Sequence, residues 1–563
     1  MGHIDHMSII GKNFRFLDMF FRESKETRDA WPLLMMTVLS ASTNAILLVI
    51  INQAAHSVSF GNPNYRLFIL FAIAITIFII SQKYVLSKIT LISESIVNGI
   101  RVRLAEKVRR SDLYELEKLG NSEVYSRISK DSTTITQTSP VIMNALQSAT
   151  MVFFCMIYIF TLSQVAFWLA VISIGLSVIF YLFNDKKITA FMRVASDQEV
   201  KLFDVLGNVL HGFKEIKVNT RKSDDVIEEL SHTSDSVRDA KVSALIPYAN
   251  NYIYSIVFFY ILIAIIIFLL PNLDQTFNDI VVKLTTAVLF MVGPLSNVVN
   301  MVSLLSQSNV AVENLYDLEE RLDKASDGNG ENYLQWVEPF KAFNTLELIN
   351  LSFTYFDDED QPLFSLAPCN LKLKRNETVF LIGGNGSGKT TFLKLLTGLY
   401  NSDQGQLMVD DNIVQPQNIQ AYRELFSVIY SDFHLFDKLY GLRDTDPTQV
   451  NDFLKLMEIH NKTEYADNQF TNLQLSTGQR KRLALLVTLL EDKDIYIFDE
   501  WAADQDPHFR DFFYEKLLAD LKDQGKTVIA VTHDDRYFHC ADRVLKMDYG
   551  KFVEFKQDDQ GQS

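Results

Sequence analysis

The 563-residue chain is too long for one hydrophobic core, so at least two domains are expected. Its net charge of −16 at pH 7 argues against nucleic acid as a partner. The three cysteines, Cys155, Cys369 and Cys540, lie far apart and in no C-x-x-C or Cys/His cluster, which gives no disulfide or metal framework. The opening residues 1–6 (MGHIDH) read as a cloning remnant, with Met7 as the natural start.

A helix that crosses the hydrocarbon of a bilayer needs about 20 mostly apolar residues. The stretches 33–53, 67–87, 141–161, 165–183, 252–270 and 282–304 all qualify. A buried helix of a soluble core would explain one such stretch. A set of this size, nearly free of charge, predicts instead an all-α transmembrane domain over residues 7–322. A signal peptide does not fit, because the first apolar run starts beyond residue 30 and lacks a small-residue cleavage pattern.

Lysine and arginine orient these spans. Arg101, Arg103, Lys107, Arg109, Arg110, Lys118, Arg127 and Lys130 fall between the second and third, and a second basic series from Lys186 to Lys241 falls between the fourth and fifth. Both loops are therefore expected in the cytoplasm. The short connections near Gly61, Ser163 and Asn272 face outward, which puts both termini inside. Few glycines or prolines interrupt the long loops, so the helices should continue well past the membrane.

Residues 323–342 contain KASDGNGEN, a polar, glycine-containing linker, and a second domain is expected over 343–563. Strand-like runs at 378–382 and 495–498 alternate there with helical patterns, as in a parallel α/β sheet. Residues 383–390 read GGNGSGKT and match G-x-x-x-x-G-K-[ST] between apolar TVFLI and helical TFLKLL, the context of a phosphate loop. Gly383, Gly386 and Gly388 let backbone N–H groups turn toward phosphates, with Asn385, Ser387 and Thr391 in the same nucleotide-binding set. Lys389 supplies positive charge to the β and γ groups of ATP, and Thr390 an oxygen to Mg²⁺. Further on, IYIFDE ends in Asp499, suited to hold Mg²⁺ through water, and Glu500, suited to polarise the attacking water as general base. Alone that pattern is weak, since buried strands often end in acids; behind a phosphate loop it is strong.

Leu475–Gln479 reads LSTGQ, followed by Arg480, Lys481 and Arg482, and resembles the signature sequence of ABC transporters with Thr477 in place of the usual glycine. A Ser-Thr-Gly-Gln helix start suits a phosphate on general grounds. The resemblance implies that Ser476, Thr477, Gly478 and Gln479 meet ATP bound by the opposite subunit. It also implies that His533, in VTHDD, is the switch histidine near Glu500, that Tyr355, in LSFTY, stacks on adenine, and that Asp506 belongs to the D-loop. Ser431, in VIYSDFHLF, stands where the family has a glutamine that reaches Mg²⁺, and Trp501 replaces the proline after Glu500.

The order of membrane domain then ATP-binding cassette resembles bacterial half-exporters. The combination LSTGQRKRLAL, FDEWAADQDP and THDDRYF is similar to the exporter subfamily for cyclic peptides, lipopeptides and siderophore precursors. What the resemblance implies is a homodimer in the bacterial inner membrane that hydrolyses ATP with Mg²⁺ and exports a peptide-like substrate by alternating access. The first cytoplasmic loop would touch the cassettes near residues 126–137 and the second near 213–223. A lipid flippase would share every motif. A regulatory protein that binds ATP without transport is disfavoured by the presence of both Glu500 and His533, and a passive channel is weaker still. Asn44, Asn52, Asn144, Gln147, Asn250, Asn251, Tyr252, Tyr254, Asn297 and Asn300 are candidate cavity residues, although hydrogen bonds between helices explain them equally well. The scarcity of charge among them favours an amphipathic ligand.

Overall fold

A computed structural model describes residues 15–24, 30–59, 65–272, 280–325, 334–357 and 361–553. The expected cloning remnant at 1–6, the connection at 60–64 expected to face outward and part of the expected linker, 326–333, lie outside the described residues. The chain divides into a helical unit, residues 1–109 and 116–324, and a second unit made of residues 110–115 and 325–563.

The helical unit is built on the helices Ala30–Ser59, Tyr65–Arg110, Ser132–Leu162, Gln164–His211, Thr220–Ala264 and Val281–Lys324. Segments Trp31–Ala54, Tyr65–Arg110, Asn121–Leu162, Thr220–Leu269 and Val281–Lys324 are long and apolar enough to cross a membrane. The remaining expected span opens the Gln164–His211 helix, where the described apolar stretch is Gln164–Phe180. Tyr65–Arg110 has 46 residues. At a rise of about 1.5 Å per residue it is about 69 Å long, over twice the roughly 30 Å of hydrocarbon, so it continues well beyond the apolar layer. Exposed Phe68, Ile69, Leu70, Ile79 and Ile80 on this helix give the unit an apolar outer surface suited to lipid.

Several polar side chains of the spans are used up between helices. Gln147 Nε2 donates to Ser40 Oγ at 2.7 Å, and Ser40 donates on to Gln82 at 3.0 Å. Asn52 reaches the Lys283 carbonyl at 3.4 Å and the Tyr158 hydroxyl at 3.5 Å. Asn297 donates to Ser148 at 3.2 Å, Asn44 faces the Met151 sulfur at 3.3 Å, and Tyr248 donates to Asn300 at 2.5 Å. Buried Asn52 and Gln147 and half-buried Asn44 are thus engaged between helices, whereas Asn297 and Asn300 make such bonds while staying exposed. Asn251 is buried, Asn144 and Tyr252 are half-buried, and Asn250 and Tyr254 are exposed.

In the region 126–137, where a cassette contact is expected, some side chains pack within the helical unit and others stay exposed. Ser126, Asp131 and Ser132 are buried inside the helical unit, where Asn314 donates to Asp131 at 3.0 Å and Arg321 to Glu123 at 3.0 Å. The part of the first loop that clusters with the second unit is Arg110–Glu115. At the tip of the second loop, Phe213–Val218 buries none of its residues.

The second unit is α/β. Strands β1 (Thr345–Phe356), β2 (Pro362–Lys374), β4 (Gln404–Val409) and β5 (Asn412–Ile413) form an antiparallel sheet in the order β2-β1-β4-β5. Strands β3 (Thr378–Ile382), β6 (Phe426–Ile429), β9 (Ile495–Asp499), β10 (Thr527–Val531), β11 (Arg543–Asp548) and β12 (Lys551–Val553) form a second sheet in the order β12-β11-β3-β10-β9-β6. Its pairs are parallel except at β12. Two-residue strands β7 (Tyr465–Ala466) and β8 (Gln469–Phe470) pair separately. Every residue of β3, β9 and β10 is buried, which is why TVFLI, IYIFD and TVIAV are continuous rather than alternating apolar runs. Because β10 lies between β3 and β9, their carboxyl ends sit side by side, the place where open parallel sheets bind ligands.

Arg110–Glu115 joins this unit through an aromatic contact. The Tyr114 ring meets Phe353 at 5.2 Å and both Tyr355 and Tyr400 at 5.7 Å, and its hydroxyl accepts from Phe356 N at 3.2 Å. Asp112 accepts from Asn401 at 2.6 Å.

Candidate functional site

The carboxyl end of β3 runs into Gly383–Thr390 and then into the helix Lys389–Leu396. The turn requires glycine at two points. A Cβ on Gly383 would lie 2.2 Å from the Met547 carbonyl oxygen, and Gly388 has φ 101° with Phe364 3.0 Å from where its Cβ would be. Ser387 Oγ is buried and without a hydrogen-bond partner among the described residues. Lys389 is 6% exposed and donates to the carbonyls of Gly383 and Gly384 at 3.0 and 3.1 Å. A cavity of about 540 Å³ is lined by Tyr355, Phe364, Asn385, Gly386, Gly388, Lys389, Thr390, Thr391 and Glu500. That size suits a nucleotide-sized ligand.

Tyr355 reaches the cavity from β1 as part of an aromatic wall, with Phe353 at 5.0 Å, Tyr400 at 5.9 Å and Phe364 at 6.3 Å. Its hydroxyl is 3.3 Å from Thr391 Oγ1 and 3.2 Å from the Tyr400 hydroxyl. The Tyr400 hydroxyl in turn accepts from Lys394 at 3.1 Å. Such a wall can take the face of a base while its hydroxyls hold the ring to the phosphate loop.

At the end of β9, the Asp499 carboxylate accepts from Thr390 Oγ1 at 2.9 Å. Burial pushes the Asp499 carboxyl up from its usual range and Glu500 adds to this, while the Thr390 hydroxyl, the Ser431 amide and Lys389 pull it back. The donor set fits Mg²⁺, which takes hard oxygen ligands, commonly one or two carboxylates completed by substrate phosphates. Ser431 meets Asp499 through its main-chain N–H, and its side chain is exposed. Glu500 Oε1 lies 3.1 Å from His533 Nε2 and 3.7 Å from Lys389 Nζ, so a carboxylate, an imidazole and an ammonium converge from three adjacent strand ends. Glu500 holds a left-handed backbone at φ 51° and ψ 33°. That conformation costs a non-glycine residue roughly 1–2 kcal/mol.

The signature residues do not join this group. Ser476 caps the helix Thr477–Leu490 through a reciprocal box with Gln479, its N–H donating to Gln479 Oε1 at 3.1 Å. Ser476 and Thr477 are exposed, and neither they nor Gly478 and Gln479 line the cavity. Asp506 is likewise elsewhere. It caps the helix Pro507–Asp511 by accepting from Phe509 N at 3.0 Å, and it pairs with Arg482. That N–H and Arg482 hold its carboxyl below the usual range. On one chain, then, the N-terminus of the Thr477–Leu490 helix lines none of the phosphate-loop cavity, an arrangement that can serve a phosphate brought by a second molecule.

Some site residues have no signal in the sequence. Phe364 and Tyr400 around Tyr355 are of this kind, and so is the role of Lys481, whose ammonium donates to the Glu500 carbonyl at 2.8 Å. Glu500 and His533 also border a second cavity of about 310 Å³ with Arg510, Tyr514, Thr532 and Asp534.

Comparisons with known proteins agree with this geometry. The ABC transporter family profile matches residues 366–503. The chain is 30% identical over 542 residues to the ATP-binding protein SyrD of Pseudomonas syringae pv. syringae, covering 92% of this chain and 93% of that one. It is 32% identical over 222 residues to the ATP-dependent lipid A-core flippase of Hahella chejuensis, 37% of each chain. In fold it is similar to the structure of a bacterial Atm1-family ABC exporter with ATP bound, with a TM-score of 0.73, 16% identity and 94% of both chains covered. The chain belongs to the ABC transporters, as a multi-pass half-transporter of exporter fold whose cassette couples ATP hydrolysis to transport.

Proposed function

We propose that two copies of this chain form an exporter in the bacterial inner membrane, with termini and cassettes in the cytoplasm, which moves an amphipathic, peptide-like cargo outward by alternating access. In domain terms, residues 7–322 carry the membrane-spanning helices, 323–342 link, and 343–563 form the cassette, with which Arg110–Glu115 and Leu334–Lys341 cluster. The observation that carries the reading is the separation of two half-sites. The phosphate loop, Asp499, Glu500 and His533 converge at one set of strand ends, whereas exposed Ser476 and Thr477 begin a helix that lines none of that cavity. A second copy supplies the missing half to each site.

Bound MgATP would supply the phosphoryl group whose hydrolysis drives the cycle. Tyr355 and Phe364 hold the base, the glycine-loop N–H groups and Lys389 hold the phosphates, and Thr390 and Asp499 hold Mg²⁺. Glu500 takes the proton of the attacking water at its carboxylate, which His533 orients from 3.1 Å. Closure of the cassettes on each other would pull the long cytoplasmic helices together and turn the cavity outward. The peptide reading is supported by the LSTGQRKRLAL and FDEWAADQDP resemblance, by alignment with SyrD along nearly the whole chain, and by exposed, uncharged polar groups within or beside the spans, such as Asn250 and Tyr254.

The test is ATPase activity of the purified, reconstituted dimer against a panel of cyclic and lipidated peptides and of phospholipids. Stimulation by peptide above that by phospholipid is the expected result. ATP-driven lipid scrambling with no peptide response would make the protein a flippase, and full turnover by a monomer would remove the shared-site reading.

A further inference from the structure

Resting on the reading of Glu500 as the general base, we propose that Lys481 and Trp501 are positioning residues that hold the catalytic turn of their own cassette and lock it to the signature helix. Glu500 leaves β9 in a left-handed conformation that its side chain disfavours, so neighbouring groups must impose it. Two hydrogen bonds supply the constraint. Lys481 Nζ donates to the Glu500 carbonyl at 2.8 Å and pairs with Asp504 at 2.6 Å, and Trp501 Nε1 donates back to the Lys481 carbonyl at 2.8 Å.

Both side chains are buried, Lys481 at 5% exposure and Trp501 at 1%, and the indole packs on Phe513 at 4.6 Å. A buried ammonium needs acceptors to be tolerated, and these are the ones it has. The contact extends around the same turn. Gln505 Nε2 donates to the Gly478 carbonyl at 3.1 Å, Arg482 donates to Gln505 at 3.0 Å, and a Cβ on Gly478 would stand 2.9 Å from the Asp504 carbonyl oxygen. The helix that presents Ser476 and Thr477 and the turn that presents Glu500 therefore move as one piece. Nucleotide engaged by the signature residues on the partner's site is then felt at the base of the cassette's own site. The arrangement also gives one physical reason for two sequence features: a lysine within RKR and a tryptophan where the family has proline are halves of one contact.

The experiment uses the full-length, reconstituted protein. Lys481→Gln removes the ammonium, Lys481→Arg restores a cation, and Trp501→Phe keeps the ring packing but removes the N–H. Lys481→Gln is expected to lower ATP turnover by about tenfold or more with KM for ATP changed by less than about twofold, and Trp501→Phe by about threefold to tenfold, the scale of one hydrogen bond. Lys481→Arg should recover part of the loss. Combined with Glu500→Gln, Lys481→Gln should cost little further, because it acts through the same group. Native turnover in both Lys481→Gln and Trp501→Phe would overturn the proposal, as would a loss that multiplies fully onto that of Glu500→Gln. Should Lys481→Gln fail to fold, Trp501→Phe decides alone by the same criteria. Failure of the base assignment is distinguishable, since Glu500→Gln would then keep its turnover whatever Lys481 does.

Discussion

Glu500 Oε1 stands 3.1 Å from His533 Nε2, so the carboxylate that would take a proton from water is held by an imidazole across neighbouring strands. Glu500→Gln keeps the size of the side chain and leaves Thr390, Lys389 and Asp499 in place. ATP binding should persist while hydrolysis falls by about 10²–10⁴-fold, the contribution of a general base. Parallel nucleotide binding and phosphate release check this, and near-normal turnover would end the assignment.

Lys389 is buried beneath the phosphate loop, and its removal should act on binding before chemistry. Lys389→Ala takes one charge-assisted contact from the phosphates, so the affinity for ATP should drop by about tenfold or more. An unchanged dissociation constant in equilibrium titration would place Lys389 outside the site.

Ser431 touches Asp499 with its amide, which alanine retains. Ser431→Ala should therefore slow hydrolysis by at most about tenfold, the scale of one neutral hydrogen bond. A variant as inactive as Glu500→Gln that still bound ATP would make the serine hydroxyl a direct ligand.

Tyr355 contributes a ring and a hydroxyl that can be separated. Tyr355→Phe loses the bonds to Thr391 and Tyr400 and should change ATP affinity by no more than about fivefold. Tyr355→Ala loses the stacking face, worth about 1–3 kcal/mol per base, and should weaken binding more. If alanine bound ATP as tightly as the native protein, the base would have to rest elsewhere.

What could be read from the sequence follows the range of the forces involved. The glycine loop and IYIFDE are legible because a buried parallel strand is a short continuous apolar run and the chemistry sits at its end. The direction of a lone amide in a membrane helix is not legible, since an apolar helix carries no stripe to set its rotation. Asn52 turned inward to Tyr158 and Lys283, whereas Asn250 is exposed. Contacts between distant segments are equally silent. Tyr114 meets Phe356 across 242 residues, and Lys481 binds a carbonyl, which every residue has.

The capture of Arg110–Glu115 by the cassette sets a rule for cutting and grafting this protein. A fragment begun at residue 325 would leave Phe353, Tyr355 and Tyr400 facing solvent where Tyr114 now covers them, and Asn401 without Asp112. Such a fragment should be sticky and bind nucleotide poorly, whatever the integrity of its glycine loop. A chimera that exchanges cassettes between exporters must carry the matching six residues along with them, for the motor of this machine includes a piece of chain encoded in the middle of its membrane half.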